Sequence, residues 1–172
     1  KEKLHKQITF LENNLDYWIV WTNFIYIDES WKIIWKRIKT EKNKEIKKRI
    51  LRQNPFVHMS VIFRKKLIIS TWVYDENCLV WQDYDLWLRF WLITKMYNLQ
   101  EFLTYTRLTK NWISANNVKK QHKLWLQRCI EYRKKYPEFL KSLLIRLSFF
   151  LMPKFIFNIL VYIKEKIEKK YS

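Results

Sequence analysis

Two carboxylates and an amide stand together at the start of a helical pattern in the middle of the chain. They are Gln82, Asp83 and Asp85, and apolar residues recur after them at helical spacing. The first turn of a helix stabilises a charged carboxylate, and such a group can accept the proton of a nearby hydroxyl. The pattern therefore permits general-base chemistry at Asp83, although an ordinary helix-terminal carboxylate explains the same letters. Asp85 is predicted to be a cap or a structural partner.

The remaining polar candidates are scattered along the chain. His58 follows an Asn-Pro pair, and a structural histidine explains it as readily as a functional one. Three arginines can each bind phosphate through paired N–H groups: Arg64, Arg89 and Arg107. The histidines and cysteines are isolated and lack metal-ligand spacing: His5, His58, His122, Cys78 and Cys129. We therefore predict no metal site from these residues.

The elements that must position these side chains are a mixture of helices and strands. The apolar pattern predicts helices at 3–14, 43–52, 65–71, 82–94 and 116–136, with another after Pro137. It predicts a β-hairpin over 17–34 and strands at 56–63 and 102–107. In the helix at 82–94, Leu86, Phe90 and Ile93 are expected on one face with Trp87. Such a mixture indicates an α/β fold.

Composition and charge limit the class of protein. The chain has 172 residues, 34 Lys and Arg against 16 Asp and Glu, and a formal net charge of +18. With 49% hydrophobic residues it is too apolar for a disordered polycation and long enough to bury a core. Nucleic-acid binding is one hypothesis, but the basic residues are spread over the chain without a recognised motif. For the basic segment 36–53 we favour a solvated face, with Ile46, Ile50 and Leu51 turned inward, over a binding patch.

One count is anomalous: the chain has ten tryptophans and no glycine. Average usage would give about twelve glycines in a chain of this length. Several tryptophans occupy turns and strand starts where glycine is the usual residue, because it has no Cβ to clash at positive φ. We predict that glycine belongs at eight positions, as a UGA codon decoded as glycine would give; they are Trp18, Trp21, Trp31, Trp35, Trp72, Trp81, Trp91 and Trp112. A protein that is naturally rich in tryptophan is the alternative.

With glycine at those positions, five segments become motifs in a familiar order. They are D-Y-G-I-V-G-T-N at the start of 16–37, N-P-F-V-H-M-S at 54–60, S-T-G-V-Y-D-E-N at 70–77, G-Q-D-Y-D-L-W-L-R-F-G at 81–91, and Y-N-L-Q-E-F-L-T-Y-T-R at 97–107. Together they resemble the C-terminal half of a family-2 glycosyltransferase, over about residues 1–115. The resemblance implies a GT-A fold, a mixed sheet with flanking helices, that transfers sugar from a nucleotide-sugar donor to an acceptor hydroxyl. By this division 116–141 is a helical extension and 142–172 a basic amphipathic helix.

The resemblance also assigns roles to residues. In the family an acidic pair before this helix supplies the catalytic base of an inverting reaction. Here the pair is Gln82-Asp83: Gln82 replaces the more usual Glu, so Asp83 is the candidate base. The resemblance places His58 near the floor of the site, against the acceptor or the diphosphate. Arg107 is the best candidate for a phosphate contact. Trp87 is expected to pack in the core, with stacking on the acceptor as the alternative.

A divalent cation, Mg²⁺ or Mn²⁺, is expected for the complete enzyme by the same resemblance. The half of the family fold that holds the nucleotide and the metal-binding aspartates should precede Lys1. We therefore expect this chain to be a fragment that is inactive by itself. The resemblance does not say which sugar is moved, or whether the acceptor is a lipid-linked glycan or a polysaccharide of the cell envelope.

The C-terminal segment suggests a partner. Residues 143–163 are mostly apolar with a narrow polar stripe through Arg146, Lys154 and Asn158, and the lysine-rich 164–170 follows. That pattern fits a helix that lies in the interface of an anionic membrane, and a helix packed on its own domain fits equally well. A transmembrane span is disfavoured by the polar residues. The predicted location is cytoplasmic and peripheral to the inner face of the cell membrane; a non-catalytic membrane-surface or nucleic-acid-binding module is the alternative function.

Overall fold

The computed structural model describes residues 1–51, 54–71, 74–76, 78, 81–108, 118–136 and 139–151, and the single residues 153, 156 and 159. Within them the fold is α/β, with one four-stranded mixed sheet. The strands are β1 (Tyr17–Ile27), β2 (Ile33–Arg37), β3 (Ile62–Phe63) and β4 (Lys95–Arg107). The helices are α1 (Glu2–Asn13), α2 (Asn43–Arg49), α3 (Lys65–Thr71), α4 (Gln82–Trp91), α5 (Val118–Tyr132) and α6 (Phe139–Leu151).

Strand β1 is the centre of the sheet. Strand β4 runs parallel to it over its whole length, from Tyr17 opposite Lys95 to Ile27 opposite Arg107. Strands β2 and β3 are antiparallel to β1 and must share its other edge, because a strand has only two edges. Seven consecutive residues of β1, from Ile19 to Ile25, are buried, as expected for a strand covered on both faces.

Buried polar side chains hold the middle of the sheet. The Asn23 side-chain oxygen accepts hydrogen bonds from the Lys39 backbone N–H and the Asn98 amide, each at 2.8 Å. The hydroxyls of Thr22 and Thr104 lie 3.1 Å apart across β1 and β4. The register of β4 shifts beside Thr22 and Asn23, so these bonds lie where the ladder is irregular. They satisfy groups that would otherwise be costly to bury.

The core lies between the sheet and helices α2, α4 and α5. Ile46, Ile50 and Leu51 are buried in it, which confirms the inward face predicted for the basic segment 36–53. Helix α5 is anchored by Trp125, whose indole N–H donates to the Leu51 carbonyl at 2.7 Å. The predicted helices at the N-terminus and at 65–71 and the β-hairpin are confirmed to within a few residues.

The predicted strand at 56–63 is wrong for most of its length. Residues His58–Ser60 form a 3-10 turn, and only Ile62 and Phe63 pair with β1. The Ser60 N–H donates to the Val57 carbonyl at 2.7 Å, and the Gln7 side-chain amide donates to the Ser60 carbonyl at 2.6 Å. These bonds replace a sheet ladder and turn the chain towards β3.

The boundary between α4 and β4 also differs from the prediction. Helix α4 ends at Trp91, and β4 begins at Lys95 rather than near residue 102. Because β4 pairs with β1 from its first residue, the chain must leave the helix before Lys95. Ile93 consequently lies outside the helix and is exposed, so its expected place on one helical face with Leu86 and Phe90 is wrong.

The backbone distinguishes two of the eight suspect tryptophans. Trp31 has φ 67° in the turn between β1 and β2, and Trp81 has φ 58° just before α4. A β-carbon is unfavourable in this left-handed region, which glycine enters readily. Four others lie in regular elements without positive φ: Trp18, Trp21, Trp35 and Trp91. Trp72 and Trp112 lie outside the described residues.

Candidate active site

The first turn of α4 is positioned by a sharp change in backbone direction. Trp81, in the left-handed conformation, precedes the helix, and its carbonyl accepts the first helical hydrogen bond from the Asp85 N–H at 3.0 Å. The helix has no side-chain cap. Its acidic residues Asp83 and Asp85 both lie in the first turn, as predicted, where the helix dipole favours negative charge.

Asp85 is a structural partner, as predicted. Its carboxylate is almost completely buried between two arginines, with Oδ1 2.6 Å from Arg128 Nε and Oδ2 accepting from Arg89 Nε at 3.1 Å. Burial raises the pKa of Asp85, while the positive charges of Arg128 and Arg89 oppose that shift. Arg128 also binds Asp75 at 2.9 Å and Glu131 at 2.7 Å. This ion cluster of Asp75, Asp85, Arg89, Arg128 and Glu131 joins α4 to α5 and to the segment before α4.

Asp83 has the opposite environment. It is half-buried, and within the described part of the chain its carboxylate has no hydrogen-bond or ion-pair partner. The phenol of Tyr74 lies near enough to sense its charge: burial raises the pKa of Tyr74, and the negative charge of Asp83 adds to that shift. Of the two carboxylates in this turn, Asp83 is therefore the one available to a substrate.

His58 and Trp87 come together beside this turn. The Trp87 ring is fully buried and stacks on Phe56, with the ring centroids 4.9 Å apart, and the His58 ring lies 6.0 Å from it. Asp83 is one turn before Trp87, so the two residues lie on the same face of α4. Exposed His58 thus lies beside a buried ring of the helix whose first turn carries half-buried Asp83. Burial of Trp87 agrees with its predicted packing role, because an acceptor could stack on this ring only by displacing its neighbours.

The other predicted residues divide between this turn and more distant places. Gln82 is exposed at the first position of α4, next to Asp83. Arg107 lies at the last position of β4, where its guanidinium is 4.9 Å from the Trp31 ring in the hairpin turn. Arg64 donates to the carbonyls of Tyr17 and Leu11, and Arg89 is held by Asp85, so both have structural contacts.

The described residues do not fit a divalent cation. They contain no group of three or more His, Cys, Asp or Glu side chains that could hold a metal ion. The unpaired carboxylate of Asp83 is a single ligand, whereas Mg²⁺ needs several oxygen ligands. A cavity of about 480 Å³ opens at the start of β1 and β4, lined by residues such as Asp16, Lys47 and Lys95, and it contains none of the predicted site residues.

Sequence reasoning missed two residues of this region. Arg128 was one cation among 34, and nothing in its spacing predicted that it would meet Asp85 from a helix 43 positions away. Tyr74 lies within one of the five motifs, and nothing in its spacing predicted that its phenol would sense the charge of Asp83. Residues before 82 were predicted to share a site with Asp83 only because the order of the motifs resembles the family.

Two proteins with assigned names are similar to this chain. No family model matches the chain. An uncharacterized glycosyltransferase of Methanocaldococcus jannaschii is 32% identical to it over 180 aligned positions, which cover 96% of this chain. The amylovoran biosynthesis glycosyltransferase AmsE of Erwinia amylovora is 36% identical over 88 residues, 51% of this chain. Both relatives are named glycosyltransferases. The chain spans 61% of the length of the first, and the alignment with AmsE covers 32% of that protein.

Proposed function

We propose that this chain is the acceptor-side part of an inverting glycosyltransferase of family 2 with a GT-A fold. The names of two similar proteins, the mixed sheet with flanking helices and the order of five motifs support this proposal. The observation that carries it is the contrast within one helical turn. Asp85 is buried and bound by two arginines, and Asp83 keeps an unpaired carboxylate among the described residues.

Asp83 is the general base of the proposed reaction. An acceptor hydroxyl attacks the anomeric carbon of the donor sugar from the side opposite the leaving group, and the bond from that carbon to the phosphate oxygen breaks. The hydroxyl proton passes to the Asp83 carboxylate, and the nucleoside diphosphate leaves with the bonding electron pair. Attack from the opposite side inverts the anomeric configuration. Asp83 lies in the first turn of α4, where the helix dipole favours negative charge, and a carboxylate there can accept the proton.

Two exposed residues, one in the first turn of α4 and one beside the ring of Trp87, would bind and orient the acceptor. The Gln82 amide can both donate and accept hydrogen bonds, which suits sugar hydroxyls. The exposed imidazole of His58 flanks the same buried ring and can contact the acceptor or the diphosphate. Arg107 lies away from this turn, at the exposed end of β4, and it remains the proposed phosphate contact because a guanidinium can donate paired N–H groups to phosphate oxygens.

The nucleotide-sugar donor and the divalent cation belong to the complete enzyme in this proposal. The family resemblance assigns the cation to aspartates that are not among the residues of this site. When bound, such a cation would neutralise the negative charge of the departing diphosphate. The name of AmsE refers to amylovoran biosynthesis, and by analogy we propose a glycan or polysaccharide of the cell envelope as the product.

The proposed function is tested with the full-length gene product that contains this chain, purified from its own host. The protein is incubated with UDP-glucose, UDP-galactose, UDP-N-acetylglucosamine or GDP-mannose and a glycan and lipid extract of the host. We expect nucleoside diphosphate release that depends on the extract, and a product whose anomeric configuration by NMR is opposite to that of the donor. A product with retained configuration, or no transfer from any nucleotide-sugar, would overturn the proposal.

A further inference from the structure

Helix α6 has apolar residues on two faces. Phe139 and Leu143 are half-buried and pack against the core, and Ser142 between them is buried. Four leucines are exposed instead, and their spacing of four, three and four residues places them in one row along the helix: Leu140, Leu144, Leu147 and Leu151. We call this row the leucine stripe. One face of this helix therefore packs on its own domain, and a second apolar face is uncovered among the described residues.

Packing on the domain does not explain the leucine stripe. A helix that only covers a core needs one apolar face, with polar residues on the other side. Single exposed apolar residues are common on protein surfaces, but here four share a row about 16 Å long. Ile156 and Ile159 farther along the chain are exposed as well. A continuous exposed apolar row of this kind marks a contact with another apolar phase.

The charges that precede and follow the leucine stripe in the sequence indicate what that phase is. Three consecutive exposed cations, Arg133, Lys134 and Lys135, precede α6, and Lys141 is exposed within it. The sequence that follows the helix has four more lysines between positions 164 and 170. An anionic membrane surface offers hydrocarbon to leucines and phosphate groups to flanking cations. A second copy of the chain would instead bring clusters of positive charge together across a two-fold axis.

We propose that the leucine stripe docks on an anionic lipid bilayer, with the cations before and after α6 at the level of the lipid phosphates. Of the described helices, none combines the length and the apolar character that a membrane span requires. The stripe would therefore lie in the interface, parallel to the membrane surface. Docking of the stripe does not depend on sugar transfer.

Vesicle flotation of the purified 172-residue chain tests the proposal. We expect binding to equimolar phosphatidylcholine and phosphatidylglycerol, and at least about tenfold weaker binding to phosphatidylcholine alone. The double variant Leu140→Glu/Leu144→Glu should reduce binding to the anionic vesicles at least about tenfold. Its matched control is Ile38→Glu/Ile69→Glu, because the exposed fractions are 69% and 66% for the leucines and 68% and 74% for the isoleucines. The control should bind like the parent chain.

Three outcomes would overturn the proposal. The first is failure of the parent chain to float with anionic vesicles, and the second is equal loss of binding in both double variants. The third is a dimer of the parent chain in sedimentation equilibrium that Leu140→Glu/Leu144→Glu converts to a monomer, which would assign the stripe to a second copy. Circular dichroism checks folding, and Leu151→Glu, at the most exposed position of the stripe, repeats the test if the double variant does not fold.

Discussion

The left-handed backbone at Trp31 and Trp81 places the largest side chain where the smallest is preferred. Trp31 closes the turn after β1, where the Asp28 carboxylate accepts hydrogen bonds from the N–H groups of Ser30 and Lys32, both at 2.9 Å. That turn forces the backbone at Trp31 whatever its side chain. Both residues are among the eight positions at which the sequence predicts glycine, and their backbone supports glycine there. The described φ values do not single out Trp18, Trp21, Trp35 or Trp91 in this way.

Replacing Trp31 by glycine and by alanine separates backbone strain from the loss of the ring. Both variants lose the ring and its contact with Arg107, but only alanine keeps the β-carbon. We expect Trp31→Gly to be more stable than Trp31→Ala by about 1 kcal/mol in urea unfolding. At the exposed helical position Lys44 the order should reverse, with alanine more stable by about 0.5–1 kcal/mol. Equal stability of the two Trp31 variants would contradict strain at this residue.

The buried indole N–H groups differ in whether they have a hydrogen-bond partner. The N–H groups of Trp21, Trp35, Trp87 and Trp91 are buried without a hydrogen-bond partner among the described residues, whereas that of Trp125 is satisfied by Leu51. An unpaired buried donor costs about 1–3 kcal/mol. Three of the four unpaired groups are at positions predicted to be glycine. Trp87 is the exception, since it was predicted to be a true tryptophan of the core.

The hydrogen bond of Tyr97 should make the free energy of unfolding depend on pH. Its hydroxyl donates to the Glu41 carboxylate at 2.6 Å, and this bond, together with burial, raises the pKa of Tyr97 to about 12. Since an unfolded tyrosine ionises near its ordinary pKa of 10, the contribution of this bond to stability is complete below pH 10 and is lost as the pH rises to about 12. Tyr97→Phe should therefore lose less stability than the parent chain between pH 10 and 12.

The measurement is the free energy of unfolding in urea at a series of pH values. Glu41→Gln should also reduce the loss, because it removes the charge that holds the Tyr97 proton. The buried tyrosines Tyr132 and Tyr136, whose pKa values burial also raises, keep a remaining slope in every variant. An unchanged slope in Tyr97→Phe would show that this hydrogen bond does not form.

At the scale of elements, the ion cluster at Asp85 fixes how α5 meets α4. Arg128 reaches Asp75, Asp85 and Glu131 from one position on α5, and the Tyr136 hydroxyl, just beyond α5, donates to the Leu88 carbonyl at 2.5 Å. Asp85 lies in the same turn of α4 as Asp83, and Leu88 lies farther along the same helix. We infer that the cluster holds this turn in place, while Asp83 itself stays available.

A double-mutant cycle tests the link between α4 and α5. Arg128→Ala should lower the free energy of unfolding by about 3 kcal/mol, because it leaves the buried Asp85 with one guanidinium. Adding Asp85→Ala should recover part of that loss, with a coupling energy of about 1–3 kcal/mol. Arg133→Ala, at the exposed turn after α5, is the control and should change stability by less than about 0.5 kcal/mol. Additive effects of Arg128→Ala and Asp85→Ala would contradict the link.

Local patterns predicted the elements better than their boundaries. Apolar spacing was sufficient for α1, the hairpin and the inward face of Ile46 and Ile50, because these depend on neighbours in the chain. The turn at His58–Ser60 was not predictable, since it is fixed by the Gln7 amide more than fifty residues away. The early start of β4 depends on pairing with β1, which the alternation of its own residues does not reveal.

At the scale of the whole molecule, the sequence predicted the α/β class and Asp83 as the acidic residue of interest, but not its surroundings. The partition of two aspartates into a buried, paired one and an accessible one depends on Arg128 and on the packing of α5. The resemblance supplied the reaction, and the sheet and the two relatives agree with a glycosyltransferase. The net charge of +18 is spread over the chain, and in the sequence groups of cations precede and follow the exposed leucines of α6.

In the proposed reaction Asp83 accepts the proton of an acceptor hydroxyl during sugar transfer. This role is tested by kcat and KM for the full-length gene product, compared among the parent protein, Asp83→Asn and the surface control Asp16→Asn. Asp83→Asn keeps the size of the side chain and removes the proton acceptor, so we predict a fall in kcat of about 10²–10⁴ with little change in KM for the donor. Asp16→Asn, whose side chain is exposed and pairs with Lys95, should transfer sugar at the parental rate. Parental kcat in Asp83→Asn would contradict the account.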